Sequence, residues 1–225
     1  MPIAPPSQIQ HRITNIQYPF DNTFDDVWEY EKSFSSINFE SYLGDQCPLC
    51  GRSGCYKQIS EYYRNAITLF PHKKDVVPVA RFLCHKSGRT FSLLPYQLIP
   101  YHQYTIDAII GTLLAVYHFQ SLGQQGYHGA SLDLDPDCLV TPYLVHTWAI
   151  LIITGLIRGH AVLQGAYPVS SADKATSSTM IRAIYLYLEA VVSQRRCVLP
   201  AVRRFCHRTN GFLFGVSSGD RSRAP

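Results

Sequence analysis

The stretch Cys47-Pro48-Leu49-Cys50-Gly51 constrains this chain more than any other. Two cysteines separated by two residues, with glycine after the second, make a tight turn whose backbone N–H groups point at the sulfurs. Such a turn suits half of a tetrahedral Zn2+ site. The other half is expected from across a hairpin, where Cys84 opens the run Cys84-His85-Lys86-Ser87-Gly88-Arg89. A four-cysteine ribbon needs a second cysteine at position 87, and this chain has Ser87. Cys47, Cys50 and Cys84 therefore match the pattern. The fourth ligand is open among Cys55, His85, His72 and a water, with Cys55 the first candidate. The alternative is a ribbon that keeps its hairpin without a metal and packs its cysteines as small apolar residues.

Cys47-Pro48-x-Cys50-Gly51, then Arg81-Phe82-x-Cys84, then Gly88-Arg89-Thr90-Phe91-Ser92, resembles the zinc ribbon of bacterial insertion-element transposases and their relatives. The following Leu93-Leu94-Pro95 and Pro100-Tyr101 are similar to a group of ribbon proteins found with mobile elements. The close match covers about a quarter of the chain. The resemblance implies one Zn2+, a helix-turn-helix region after the ribbon, and DNA as partner, with a recombinase or transposase subunit as a second partner.

Charge is distributed in blocks. The net charge is +4, but residues 1–46 hold two basic and seven acidic residues, and residues 47–89 hold eight and two. Residues 90–194 are mildly acidic, and residues 195–225 hold seven basic residues against one acidic. Two basic blocks alternating with acidic ones fit a polyanion partner, or pairing of the blocks within the fold. Seven cysteines is an odd number. Met1-Pro2-Ile3-Ala4-Pro5-Pro6 has neither the basic nor the apolar region of a secretion signal. A reducing bacterial cytoplasm, in association with the nucleoid, is the expected location.

Residues 1–20 read as an irregular, proline-containing arm, and the acidic cluster around Trp28 as a short helix or an acidic aromatic face. Tyr56–Tyr63 and Val76–Leu83 read as strands flanking a basic tip at Pro71-His72-Lys73-Lys74-Asp75. Ile106, Ile109, Ile110, Leu113, Leu114 and Tyr117 recur at helical spacing and predict a helix over 103–120. Thr141-Pro142 supplies a cap and a first-turn proline for a helix over 142–163. That segment contains a 19-residue run, Leu139–Ile157, free of Asp, Glu, Lys and Arg, near the lower bound for a membrane span. Pro142, His146 and Gly155 interrupt it, so a buried core helix with no membrane partner is expected. A third helix is expected over 178–195, a break at Leu199-Pro200, and a short basic amphipathic element at Val202-Arg203-Arg204-Phe205. Cys206 and His207 read as a packed cysteine beside a surface histidine.

The expected fold class is α+β: a small β-rich zinc-ribbon-like module followed by a helical, helix-turn-helix-like bundle. The division is an acidic N-terminal arm (1–46), the ribbon module (47–95), a helical domain (96–200) and a basic C-terminal tail (201–225). The metal set is Cys47, Cys50, Cys84 and Cys55. Arg52, Lys57, Arg64, Lys73, Lys74, Lys86 and Arg89 put charge on the ribbon with aromatic rings among them, and Arg203, Arg204 and Arg208 add tail contacts. Phosphates pair with such cations while rings stack on bases. Asp107, Asp133, Asp135, Asp137, Asp173 and Glu189 are sparse and form no convincing triad for two divalent cations. A DNA-binding transposase-related or accessory factor is therefore favoured over an enzyme. The alternative is a protein-interaction module with a structural ribbon and no DNA contact.

Overall fold

A computed structural model describes residues 16–123, 139–163 and 199–215. The expected helix over 178–195, Asp133, Asp135, Asp137, Asp173, Glu189 and the extreme C-terminus lie outside the described residues. One four-stranded sheet organises the rest, in the order β1-β4-β3-β2. Its strands are β1 (Ile16–Phe20), β2 (Tyr56–Leu69), β3 (His72–Cys84) and β4 (Thr90–Pro95).

The β2–β3 hairpin is longer than the sequence pattern suggests. Its pairing runs from Tyr56 opposite Cys84 to Leu69 opposite His72, with a register shift between Gln58 and Ser60. β4 returns antiparallel on β3, with Leu83 opposite Thr90 and Ala80 opposite Leu93. β4 is buried at all six positions, because it lies between β3 and β1. A strand covered on both faces carries a near-continuous apolar run. β1 pairs parallel to β4, from Ile16 opposite Phe91 to Phe20 opposite Pro95. Residues 16–20 are thus an edge strand, not part of an irregular arm. Pro19 is tolerated there because an edge strand leaves one side of its backbone unpaired.

The acidic segment folds onto this sheet. Asp26 caps helix α1 (Val27–Ser33), its carboxylate accepting from the N–H groups of Trp28 at 2.7 Å and Glu29 at 2.8 Å. Tyr30 is fully buried, and its hydroxyl donates to the Pro78 carbonyl at 2.8 Å. A 3₁₀ turn (Phe34–Ser36) leads to α2 (Phe39–Leu43). Phe20, Tyr30, Phe39, Phe82 and Phe91 form one aromatic core with Cys47 and Cys84.

A second core lies at the other end of the hairpin. Helices α3 (Ile106–Ser121), α4 (Pro142–Leu163) and α5 (Leu199–Thr209) pack with Ile67 and Leu69 of β2. Thr105 and Thr141 cap α3 and α4 through side-chain bonds from the N–H groups of Ala108 and Leu144. Leu199-Pro200 opens α5 rather than only ending a helix, since proline suits a first turn. α4 buries Val145, Trp148, Ile152 and Leu156 in this core, while Tyr143, Ile150 and Ile157 are exposed. It is long and apolar enough to cross a membrane by length and composition, but 44% of its Pro142–Gly159 window is buried within the protein. A helix-turn-helix joins its helices by about 3–4 residues, whereas α3 ends at Ser121 and α4 starts at Pro142. The expected motif is therefore not formed by this pair. What is observed is an α+β chain with a β-rich module and helices packed on its far end.

Phe212, Leu213 and Phe214 are buried, and Gly155 lets them approach α4. A Cβ at Gly155 would lie 2.5 Å from the Phe214 ring and 2.6 Å from the Leu213 carbonyl oxygen. Arg158 closes the same contact by donating to the carbonyls of Phe212, Leu213 and Gly215. At Gly111 the three nearest atoms all belong to the half-exposed Phe70 ring, which can swing aside. Both glycines are helical, so alanine gains about 1 kcal/mol of intrinsic propensity at each. Gly155→Ala should nevertheless lose about 1–3 kcal/mol through overpacking against backbone, whereas Gly111→Ala should be neutral or stabilising. Denaturant midpoints of the two variants check this, and an equal effect at both sites would refute the packing argument.

Candidate metal centre

Two backbone turns with the same hydrogen bonds face each other at the open end of the hairpin. In the first, the Cys47 N–H donates to the Arg52 carbonyl at 3.0 Å and the Gly51 N–H to the Cys47 carbonyl at 2.8 Å. In the second, the Cys84 N–H donates to the Arg89 carbonyl at 2.9 Å and the Gly88 N–H to the Cys84 carbonyl at 2.9 Å. Gly51 and Gly88 both adopt positive φ, 69° and 65°, which only glycine does without strain. Cys47 thus matches Cys84, and Cys50 matches Ser87. The second knuckle has the same shape with one sulfur fewer.

Cys55 replaces that sulfur. It directly precedes β2, whose first residue Tyr56 pairs with Cys84, and its carbonyl accepts from the His85 N–H at 2.8 Å. The sulfurs of Cys47, Cys50, Cys55 and Cys84 all lie within 4.8 Å of one another. Cys50 and Cys84 are 3.6 Å apart, Cys55 and Cys84 3.8 Å, and Cys50 and Cys55 3.0 Å. A tetrahedral zinc–thiolate site, with bonds of about 2.3 Å, sets its sulfurs about 3.8 Å apart. The cage has that size, and all four cysteines are free thiols. These four residues can hold a metal ion. His72 cannot join them: it begins β3 while Cys84 ends it, about 40 Å along an extended strand.

The backbone prepares the sulfurs for a cation. Burial raises the Cys47 thiol above its ordinary range, opposed by hydrogen bonds from the Leu49 and Cys50 N–H groups. Burial also disfavours the Cys84 thiolate. Hydrogen bonds from the Ser87 hydroxyl and N–H, together with those from Cys50 and Cys47, outweigh it and bring Cys84 down to about 6. The Ser87 N–H lies 3.4 Å from that sulfur. Ser87 is thus a donor to a ligand rather than a ligand. The hydrogen bond to Cys50, then burial, hold the Cys55 thiol well above its usual value. An ion bound here would displace the remaining thiol protons.

The cations expected to face DNA separate into groups. Arg52, Lys57, Lys86 and Arg89 are exposed around the knuckles. Lys73 and Lys74 lie at the opposite end of the hairpin, so the ribbon charge is not one small surface. Lys73 sits over the Trp28 ring, 3.8 Å from its centroid. Arg64 is turned inward and clamps the carbonyls of Ile99 and His102; burial lowers its pKa. Arg203, Arg204 and Arg208 belong to helix α5. Arg203 pairs with Asp21 at 2.6 Å, and Arg208 donates to the Val162 carbonyl at 3.0 Å. Comparison with protein-family models, with curated proteins and with solved structures finds no match.

Because Cys55 already occupies the fourth place, Ser87→Cys alone should leave metal affinity nearly unchanged. Cys55→Ser should weaken it by more than the ~10–100-fold that loss of an outer-shell partner costs. Ser87→Cys introduced into the Cys55→Ser chain should restore binding, because the Ser87 side chain already reaches Cys84. Competition against a chromophoric chelator measures all three. Full affinity in Cys55→Ser alone would remove Cys55 from the site.

Proposed function

We propose that this chain is a zinc-ribbon protein that binds DNA, a transposase-related or accessory factor of a bacterial mobile element acting in the cytoplasm. The observation that carries this reading is the closed four-sulfur cage between two matching knuckles. Four thiolates in tetrahedral array favour zinc or iron, and a fully occupied first shell suits a structural ion rather than a catalytic one. Zinc would tie the knuckles together and hold Arg52, Lys86 and Arg89 in fixed positions. The side chains of Arg52, Lys57, Lys86 and Arg89 form no ion pair with any described residue, so their charge is available to phosphates. The knuckle end is a better candidate for DNA than α5, where Asp21 and Asp25 set negative charge beside the arginines.

A second reading rests on a specific groove. Glu31, Phe34, Glu61, Tyr63, Asp75 and Val76 line a depression of about 600 Å³ beside α1. Three carboxylates and the exposed Tyr63 ring fit a basic peptide better than DNA, which favours a protein-interaction module with a structural ribbon. The two readings separate by experiment. Elemental analysis of protein purified without chelator should give about one zinc per chain, with no visible absorption from iron. Duplex DNA should bind at low salt, with affinity falling steeply as salt rises. Arg52→Gln, Lys86→Gln and Arg89→Gln should each lower the log–log salt slope by about one unit. Zinc binding without any DNA binding at low salt would leave the interaction module as the function.

A further inference from the structure

The region where α5 meets the end of β1 contains a cleft that the metal centre does not use. Its volume is about 680 Å³, and its lining includes Asp21, Phe24, Leu199, Arg203, Arg204 and His207. The size lies within the range of roughly 300–1,000 Å³ usual for small-molecule sites. One carboxylate organises its polar side. Asp21 Oδ1 accepts from Arg203 Nε at 2.6 Å, and Asp21 Oδ2 lies 3.2 Å from His207 Nδ1. Arg203 and His207 are one helical turn apart on α5, so they present a single face. The Asp21 carboxylate is largely buried at 13% exposure, whereas the two side chains it holds are 41% and 78% exposed.

That asymmetry matters. Binding through Nε leaves both Nη groups of Arg203 unengaged by any described residue, and binding through Nδ1 leaves His207 Nε2 likewise unengaged. A buried carboxylate that orients a histidine by one nitrogen presents the other in a fixed direction. Arg204 adds a third cationic side chain to the same lining. A pair serving only to pin α5 would need no cleft of this size beside it. Phe24, which also lines the cleft, is partly exposed and apolar.

We propose that this cleft binds a small organic phosphate monoester, its oxygens accepting from Arg203 Nη and from the Nε2–H of His207 in its doubly protonated form, with its apolar body against Phe24. Two oxygens of one phosphate match the paired Nη donors of a guanidinium, and a third is left for the imidazole. Asp25 also lines the cleft, and its negative charge disfavours a polyphosphate or a DNA strand. The site is independent of the zinc and DNA reading.

Phenyl phosphate is the probe, titrated calorimetrically into the full chain, with inorganic phosphate, benzoate and a short DNA duplex as parallel arms. Phenyl phosphate should bind saturably and at least about tenfold more tightly than inorganic phosphate or benzoate, and the duplex should not displace it. Arg203→Gln and His207→Gln should each weaken it about tenfold or more, the loss expected for one charged hydrogen bond. His207 is mostly exposed, so His207→Gln should keep the parent unfolding temperature and remains informative if Arg203→Gln destabilises the helix. No saturable binding, or parent affinity in His207→Gln, would overturn the proposal. Benzoate binding as tightly as phenyl phosphate would overturn the phosphate assignment.

Discussion

The register of the β2–β3 hairpin decides where everything else in the β-rich module can go. Tyr56 opposite Cys84 puts Cys55 beside the second knuckle, and from there its sulfur completes the cage. A slip of one residue would turn Phe82 and Cys84 to the opposite face of the sheet. The aromatic core would then lose Phe82, which stacks on Phe91 with centroids 5.1 Å apart. The metal centre and the aromatic core are therefore two readouts of one register. The burial of Cys47 and Cys84 in the same cluster as Phe82 and Phe91 makes them inseparable.

Sequence legibility tracks how local each signal is. The Cys47–Cys50 turn, the helix from Pro142 to Leu163 and the strand character of the hairpin depend on spacing over a few residues, and each is readable. Cys55 is readable only as one of several fourth ligands, because the deciding fact is its position against Cys84 across the hairpin. β1 is hidden for the same reason. Ile16–Phe20 is short, contains Pro19, and becomes a strand only by parallel pairing with β4, some 75 residues later. The ribbon cations look like one patch in sequence, yet a long hairpin carries Lys73 and Lys74 away from Arg52 and Lys86. Arg64 looks like a surface charge until the carbonyls of Ile99 and His102 are brought over it.

Alternating charge blocks have a partly internal explanation. Asp21, at the end of β1, takes both Arg203 and His207 from the other end of the chain. Pairs of that exposure contribute little, about 0–1 kcal/mol. Helix α5 is held instead by burial of Val202, Phe205 and Cys206 against the helical core, where each large apolar side chain is worth about 1.5–3 kcal/mol. The ion pair therefore sets orientation more than stability. Burial of that face turns Arg203 and His207 outward, and the pair then holds their side chains over the cleft.

The two cores would respond differently to an ion at the sulfurs. The two knuckles meet through their four sulfurs, the bond from the His85 N–H to the Cys55 carbonyl, and the burial of Cys47 and Cys84 in one cluster. The nearby aromatic rings are anchored elsewhere as well, Tyr30 by the Pro78 carbonyl and Phe91 by pairing on both sides of β4. The helical core shares none of these residues. It depends on the close approach at Gly155 and the Arg158 clamp, contacts that no event at the sulfurs disturbs directly. An ion held by the four sulfurs would brace the knuckle end, where Arg52, Lys86 and Arg89 are displayed. The cations proposed to face DNA sit on the one part of the fold whose rigidity the ion would supply.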